Sequence, residues 1–91
     1  MTKRWRIKVR GKVQGVFYRV STAEKATALG LVGWVKNEPD GSVLLEVEGD
    51  DSPLTTFVNW LSEGPPMAVV IGVDQSEIAV LGSEYKFEVR Y

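Results

Sequence analysis

The stretch from Gly11 to Arg19 contains residue types that proteins use to hold an anion, in the order Gly-Lys-Val-Gln-Gly-Val-Phe-Tyr-Arg. Gly15 permits a left-handed turn that leaves backbone N–H groups uncovered, and a helix-like segment then adds the positive end of its dipole. Arg19 adds a planar fork that fits two phosphate or carboxylate oxygens. The same residues also fit a plain strand-to-helix turn with a surface arginine, so the pattern alone leaves both interpretations open.

Spacing and composition exclude several other chemistries. No Gly-Lys-Ser/Thr follows the loop, and its glycines lack the dinucleotide-binding spacing. The 91 residues contain no cysteine and no histidine, which excludes thiol nucleophiles, disulfides and the usual general base. The one close pair of acids, Asp50 and Asp51, directly precedes a predicted helix and is typical of a helix N-terminus rather than a catalytic acid pair.

Charge and hydropathy indicate where the protein works. The net charge is −1, which does not favour binding to nucleic acid or to a membrane surface. No apolar run approaches membrane length, and residues 1–5 lack the apolar core of a secretory signal. We therefore expect a cytoplasmic protein with no membrane partner.

A strict alternation of residues predicts the first strand. Apolar side chains recur on one face of this strand, and cations recur on the other at Arg6, Lys8, Arg10 and Lys12. A cationic stripe can bind nucleic acid, but with this net charge we favour a solvated sheet face. We expect its cations to pair across strands with acids such as Glu46, Glu48 and Glu88.

The predicted helices frame the rest of the chain. The first covers residues 20–29 and ends at Gly30, with a weak apolar face formed by Val20, Ala23, Thr27 and Leu29. Ser21 and Glu24 have capping-box spacing, unless the helix already begins between residues 16 and 18. The second helix covers residues 52–63, with Ser52 as its N-cap and Leu54, Phe57, Val58 and Leu61 on its buried face.

Strands fill the remaining segments. Residues 31–37 and 43–48 form a hairpin around the turn Glu38-Pro39-Asp40-Gly41, which places Asn37 at the end of one arm. Residues 68–74 and 85–91 are the later strands, and residues 75–84 fit either an edge strand or a loop. The order β-α-β-β-α-β predicts an α+β fold: a ferredoxin-like sandwich of an antiparallel sheet with two helices on one face. We expect residues 1–91 to form a single domain.

The type of catalysis that these exclusions leave open is electrostatic stabilisation of a charged transition state. Loop N–H groups and one arginine stabilise the charge that spreads over the equatorial oxygens during phosphoryl transfer. A carboxylate is a weakly basic leaving group, so an acyl phosphate needs little acid catalysis. Asn37 cannot act as a base near neutral pH, but its amide can orient a water molecule.

Several motifs together resemble the acylphosphatase family. They are Gly11-x-Val13-Gln14-Gly15-Val16-x-x-Arg19, Leu29-Gly30-Leu31-x-Gly33-Trp34-Val35-x-Asn37, Asp40-Gly41-x-Val43, Phe57-x-x-Trp60-Leu61, Gly64-Pro65-Pro66 and Phe87-x-Val89-x-Tyr91. The resemblance covers nearly the whole chain. It implies a ferredoxin-like fold and hydrolysis of the carboxyl–phosphate bond, with no metal and no cofactor.

The resemblance also implies the roles of particular residues. Arg19 matches the family's phosphate-binding arginine, and Asn37 matches its water-orienting asparagine. The phosphate cradle falls on the loop of Gln14, Gly15, Val16, Phe17, Tyr18 and Arg19. The implied partner is a small-molecule acyl phosphate, with phosphate or sulfate as a competing ligand, and we expect a monomer.

Two other functions fit parts of the sequence. A ferredoxin-like module that binds a phosphorylated ligand without hydrolysing it would use Arg19 and the loop equally well. Asn37 is the residue that distinguishes the two, because a pure binder needs no water-orienting amide. RNA binding on the open sheet face is disfavoured by the net charge and by the lack of aromatic residues among the outward positions of the first strand.

Overall fold

Alternation of apolar and charged residues decides which face of the first strand is buried. In the computed structural model, which describes residues 1–91, β1 spans Thr2–Lys12. Ile7 and Val9 are fully buried on one face, whereas Arg6 and Arg10 on the other face are exposed. β1 lies between β3 and β4 and pairs antiparallel with both, so it occupies an interior position in the sheet.

Six further elements follow β1. They are α1 (Tyr18–Ala28), β2 (Val32–Asn37), β3 (Val43–Asp50), α2 (Asp51–Leu61), β4 (Val69–Ile78) and β5 (Phe87–Arg90). The strand order is β4-β1-β3-β2-β5, with only β2 and β5 running parallel. Buried side chains of both helices share one core with the same face of the sheet. The predicted ferredoxin-like α+β sandwich is confirmed, with β5 added as a parallel edge strand.

The first helix begins earlier than residue 20. Phe17 is its N-cap and has a left-handed backbone, so Ser21 lies in the first turn and donates its N–H to the carbonyl oxygen of Phe17 at 3.0 Å. No side-chain cap forms, so of the two alternatives the earlier helix start is confirmed, and Ser21 and Glu24 do not form a capping box. The earlier start also rotates the buried face. That face consists of Tyr18, Thr22 and Ala26, and the predicted positions Val20 and Thr27 are exposed.

The second helix differs from its prediction at both ends. Asp50, not Ser52, is the N-cap, and the helix ends at Leu61. Gly64 donates its N–H to the carbonyl oxygen of Trp60 at 2.8 Å, which closes the last turn. Three of the four predicted apolar positions are buried, and Val58 packs at the margin of the core. Neither helix is long and apolar enough to cross a membrane.

The segment that the sequence left open is part strand and part crossing loop. β4 continues to Ile78, and β5 is shorter than predicted, at Phe87–Arg90. β4 and β5 form opposite edges of the sheet, so residues 79–86 must cross its full width. They do so on the face that carries no helix, because they contact Arg4 and Glu48, which point away from the helical side.

A buried ion cluster holds this crossing segment to the sheet. Arg4 is only 1% exposed and donates hydrogen bonds to Glu46 at 2.9 Å, to Glu48 at 3.1 Å and to Glu84 at 2.6 Å. Glu48 also accepts backbone N–H groups from residues 81 and 82. Three carboxylates around Arg4 and two amides at Glu48 therefore offset part of the cost of burying these charges.

The pairing of the cationic face differs from the prediction in its partners. Glu46 and Glu48 bind Arg4, which was not among the predicted cations. Lys8 and Arg10 instead contact aspartates: Lys8 Nζ lies 2.8 Å from Asp40, and Arg10 Nε lies 2.9 Å from Asp74. Glu88 of β5 lies beside Lys86, which directly precedes that strand, at 3.9 Å. The face is a network of ion pairs, as expected, but the cross-strand partners were wrong.

We expect the substitution Glu48→Gln to lower the free energy of unfolding by about 1–3 kcal/mol at pH 7. Burial by itself would raise the pKa of Glu48, but the N–H groups of Leu81 and Gly82, followed by Arg4, outweigh it and lower the pKa. A carboxyl group with a lowered folded pKa stabilises the fold above its unfolded pKa and loses that contribution as the pH falls.

The difference between parent and variant should therefore shrink in acid, below about pH 4, as the parent's Glu48 takes up a proton. Urea unfolding at pH 7 and pH 3 measures this difference. Glu77→Gln, an exposed carboxylate of β4, is the matched control. An equal loss for Glu48→Gln at both pH values would contradict a role for its charge.

Candidate active site

The loop between β1 and α1 starts at a break in the sheet ladder. The pairing of β1 with β4 shifts register between Arg10 and Gly11. A Cβ atom at Gly11 would collide with the carbonyl oxygen of Val69, so only glycine allows the two strands to approach this closely. The bulge lies just before the loop and re-aims the chain into it.

Residues 13–18 alternate between the core and the outside. Val16 and Tyr18 are buried at 3% and 1% exposure, while Gly15 and Phe17 face outward with φ values of 72° and 64°. The Tyr18 hydroxyl donates to the carbonyl oxygen of Leu61 at 2.7 Å, and burial raises the pKa of this hydroxyl. The buried tyrosine thus has a partnered hydroxyl. The buried side chains of Val16 and Tyr18 therefore anchor a short loop in the core, and the backbone between them turns outward.

The outward turn of the loop leaves several consecutive backbone N–H groups without a hydrogen-bond acceptor. The N–H groups of residues 15–20 have no acceptor within the chain: the first backbone bond of the helix is made by Ser21. The left-handed turns at Gly15 and Phe17 lie within this stretch. Successive free N–H groups at the start of a helix form a concave site for an anion.

A pocket of about 230 Å³ opens beside these donors. It is lined by Val13, Gly15, Phe17, Tyr18, Arg19, Val20 and Asn37. Four of the predicted loop residues and Asn37 thus meet at one cavity, although residues 19 and 37 lie on different elements. Gln14 and Val16 do not line it.

Asn37 is the last residue of β2 and pairs with Val43 of β3. Its side-chain oxygen Oδ1 is buried and has no hydrogen-bond partner in the chain. Burying a carbonyl oxygen without a hydrogen-bond donor costs free energy. We therefore expect this oxygen to accept a hydrogen bond from a molecule outside the protein. It is a side-chain acceptor at a pocket whose one charged side chain, Arg19, is a donor.

Arg19 is held by β5. Its Nη1 donates to the carbonyl oxygen of Arg90 at 2.9 Å, and its Cζ lies 4.7 Å from the centre of the Tyr91 ring. These contacts fix one edge of the guanidinium and leave its other donors available. Neither Arg90 nor Tyr91 was predicted to lie at the site. The only signal near them was the motif Phe87-x-Val89-x-Tyr91, which indicates a strand and not its contact with Arg19.

The side chain of Gln14, a residue of the predicted phosphate-binding loop, makes its hydrogen bonds within the protein. Its Nε2 donates to the carbonyl oxygens of Glu38 at 2.8 Å and of Ser42 at 2.9 Å. Both acceptors belong to the turn between β2 and β3, directly after Asn37. Gln14 therefore ties the loop to the hairpin, and its amide donors are used within the protein.

Hydrogen bonds within the turn between β2 and β3 also fix the shape of that turn. Asp40 accepts hydrogen bonds from the backbone N–H and the hydroxyl of Ser42, at 3.0 and 2.6 Å. The bond from Lys8, together with those from Ser42, holds the pKa of Asp40 well below its usual range. The turn thus offers Gln14 a fixed pair of acceptors.

Comparison with known proteins agrees with this architecture. The sequence model of the acylphosphatase family matches residues 5–89. An acylphosphatase of Methylococcus capsulatus is 49% identical over 87 residues, which are 96% of this chain and 95% of that protein. The chain therefore belongs to the acylphosphatase family, whose members are hydrolases that act on acyl phosphates.

Solved structures of the same family have the same fold. An acylphosphatase from Coxiella burnetii superposes with a TM-score of 0.93 at 43% identity, covering 98% of this chain and 93% of that one. The acylphosphatase from Bacillus subtilis also has a TM-score of 0.93, at 35% identity and with full coverage of both chains.

We expect Gln14→Ala to weaken both stability and catalysis. Loss of two hydrogen bonds should lower the free energy of unfolding by about 1–2 kcal/mol. Loss of the tie between loop and hairpin should lower kcat/KM for benzoyl phosphate about tenfold or more, because small displacements of positioning groups are costly. Gln75→Ala, an exposed glutamine of β4, serves as the control. Unchanged activity in Gln14→Ala would show that the tie does not position the site.

Proposed function

We propose that this chain hydrolyses acyl phosphates to a carboxylate and inorganic phosphate by direct attack of water on the bound phosphoryl group. One observation carries the proposal: free loop N–H groups, Arg19 and the unpartnered Oδ1 of Asn37 share one pocket. Donors suit the phosphate, and the single acceptor suits a water molecule.

In this proposal Arg19 and the loop from Gln14 to Arg19 bind the phosphate. Gly15, Val16, Phe17, Tyr18 and Arg19 contribute their backbone N–H groups, whereas Gln14 contributes through its tie to the hairpin. The Arg19 fork binds the phosphate oxygens with the donors that Arg90 does not occupy. Fixed donors of this kind stabilise the charge of the transition state without reorganising during the reaction.

Asn37 orients the attacking water. Its Oδ1 accepts a hydrogen bond from the water, so that an oxygen lone pair of the water points to phosphorus. The new water oxygen–phosphorus bond forms as the bond from phosphorus to the acyl oxygen breaks. The carboxylate leaves with the bonding electrons, and the proton of the water passes to a phosphate oxygen.

The unpartnered acceptor also favours a hydrolase over a simple anion binder. A carbonyl oxygen next to a phosphate oxygen is repulsive unless a donor lies between them, and a water molecule is such a donor. A site that only bound phosphate would be stronger without this acceptor. The proposal includes residues 1–91 acting as one domain and as a monomer in the cytoplasm, without a metal or cofactor.

Removing either polar group of the pocket should abolish most turnover. We expect Arg19→Ala and Asn37→Ala each to lower kcat for benzoyl phosphate by about 10²–10³-fold, the scale of losing an oxyanion donor. Arg19→Lys should also fail, because a point charge does not replace the fork. Arg6→Ala and Asn59→Ala, both exposed and outside the pocket, are the matched controls.

Circular dichroism of each variant establishes that the fold survives. Activity close to that of the parent in a folded Arg19→Ala or Asn37→Ala would remove that residue from the mechanism. A parent protein that releases no phosphate above a protein-free control would overturn the hydrolase assignment itself.

Inorganic phosphate and sulfate should inhibit the parent competitively, since both present the same oxygens to the cradle. Arg19→Ala should weaken this inhibition about tenfold or more, as it removes a charge-assisted hydrogen bond. Asn37→Ala should leave phosphate inhibition nearly intact, because Asn37 contacts water and not phosphate. Inhibition constants from steady-state kinetics measure both effects, and equal weakening by the two variants would contradict the division of roles.

A further inference from the structure

Two apolar side chains are exposed at the same pocket. Phe17 is 75% exposed and Val20 is 48% exposed, and both line the cavity that contains Arg19 and Asn37. Phe17 directly precedes α1 and Val20 lies in its first turn, and the shared pocket lining places the two side chains close to each other. Folding buries little of either side chain, so their apolar surface is left for something else to cover.

The backbone of Phe17 makes its presence more unusual. Its φ is 64°, and it is the one residue other than glycine with a positive φ in this chain. A bulky side chain in this region is strained, and Gly15, two positions earlier, makes a similar turn without that strain. Because the ring of Phe17 faces solvent, packing in the core does not explain why a bulky residue has this strained backbone. Backbone outliers of this kind cluster where ligands bind.

The direction of the proposed in-line attack indicates which part of the substrate lies next to Phe17 and Val20. In-line attack places the water and the leaving group on opposite sides of phosphorus. In the proposed mechanism the water lies against Oδ1 of Asn37, which is buried. The acyl group then leaves in the direction away from this buried atom, towards the exposed part of the lining, which includes Phe17 and Val20.

We infer that Phe17 and Val20 form an acyl platform, which selects acyl phosphates whose acyl group is aromatic or bulky and apolar over small ones such as acetyl phosphate. This inference rests on the proposed function. The pocket lining contains no carboxylate and no cation besides Arg19, so it offers nothing to a charged acyl group. The phenyl ring of Phe17 can stack on an aromatic acyl group in an offset or edge arrangement.

Such contacts act away from the reacting atoms. Binding energy from a remote part of the substrate raises kcat/KM for the substrate that possesses that part. The acyl platform therefore predicts a change in the ratio of kcat/KM for benzoyl phosphate to that for acetyl phosphate. Damage to the phosphate cradle lowers both values together and leaves the ratio unchanged.

The test compares this ratio in the parent and in variants of the acyl platform. Phe17→Ala should lower the ratio about tenfold, the effect of uncovering part of a phenyl ring. Phe17→Tyr keeps the ring and should keep the ratio within about twofold. Tyr85→Ala removes an equally exposed aromatic ring outside the pocket and should leave the ratio at the parent value.

Val20→Thr provides a second, nearly isosteric substitution at an exposed site, and should lower the ratio about two- to threefold. A ratio that Phe17→Ala and Val20→Thr both leave unchanged, in variants that hydrolyse both substrates, overturns the acyl platform alone and leaves the hydrolase standing. If Phe17→Ala does not fold, the ratio measured for Val20→Thr alone tests the acyl platform. A parent that hydrolyses neither substrate overturns the proposed function and the acyl platform with it.

Discussion

The side-chain amide of Gln14 joins the two segments of chain on which the site depends. One segment is the loop, anchored in the core by Val16 and Tyr18, and the other is the β2–β3 turn that follows Asn37. Each segment is well fixed by itself, yet only Gln14 bonds one to the other through its side chain. Two hydrogen bonds of under 3 Å therefore help to set the distance between the free N–H groups of the loop and Oδ1 of Asn37.

The site draws on a third segment as well. β5 pairs parallel to β2 and presents the carbonyl oxygen of Arg90 to Arg19, while the side chain of Arg90 stacks over Trp34 on the opposite face of the sheet. One residue thus contributes its backbone to the pocket and its side chain to the sheet. Positioning of Arg19 rests on this edge strand, whose own place is secured by the crossing segment and by the ion cluster at Arg4.

Much of this was predictable because local patterns report local geometry. Alternation predicted β1, the Gly and Pro turns predicted the hairpin, and helical spacing predicted the buried face of α2. The sequence left two starts of α1 open, and the structure has the earlier one, with Phe17 as the N-cap in a left-handed conformation that propensity assigns to glycine. The partners of Arg4, Gln14 and Arg19 were not predictable, since each lies at least 24 residues away in sequence and no local pattern encodes such contacts.

The bond between Arg19 and Arg90 spans 71 positions of the chain, and that between Arg4 and Glu84 spans 80. Contacts of such separation raise the contact order and must overcome a large loop-closure entropy before they contribute. β5 is the last element in chain order, and the arginine of the loop has no fixed position until it docks. A molecule in which the other four strands had already paired would still lack a held arginine. In the proposed mechanism, catalytic competence is therefore tied to completion of the whole topology and not to the folding of the loop alone.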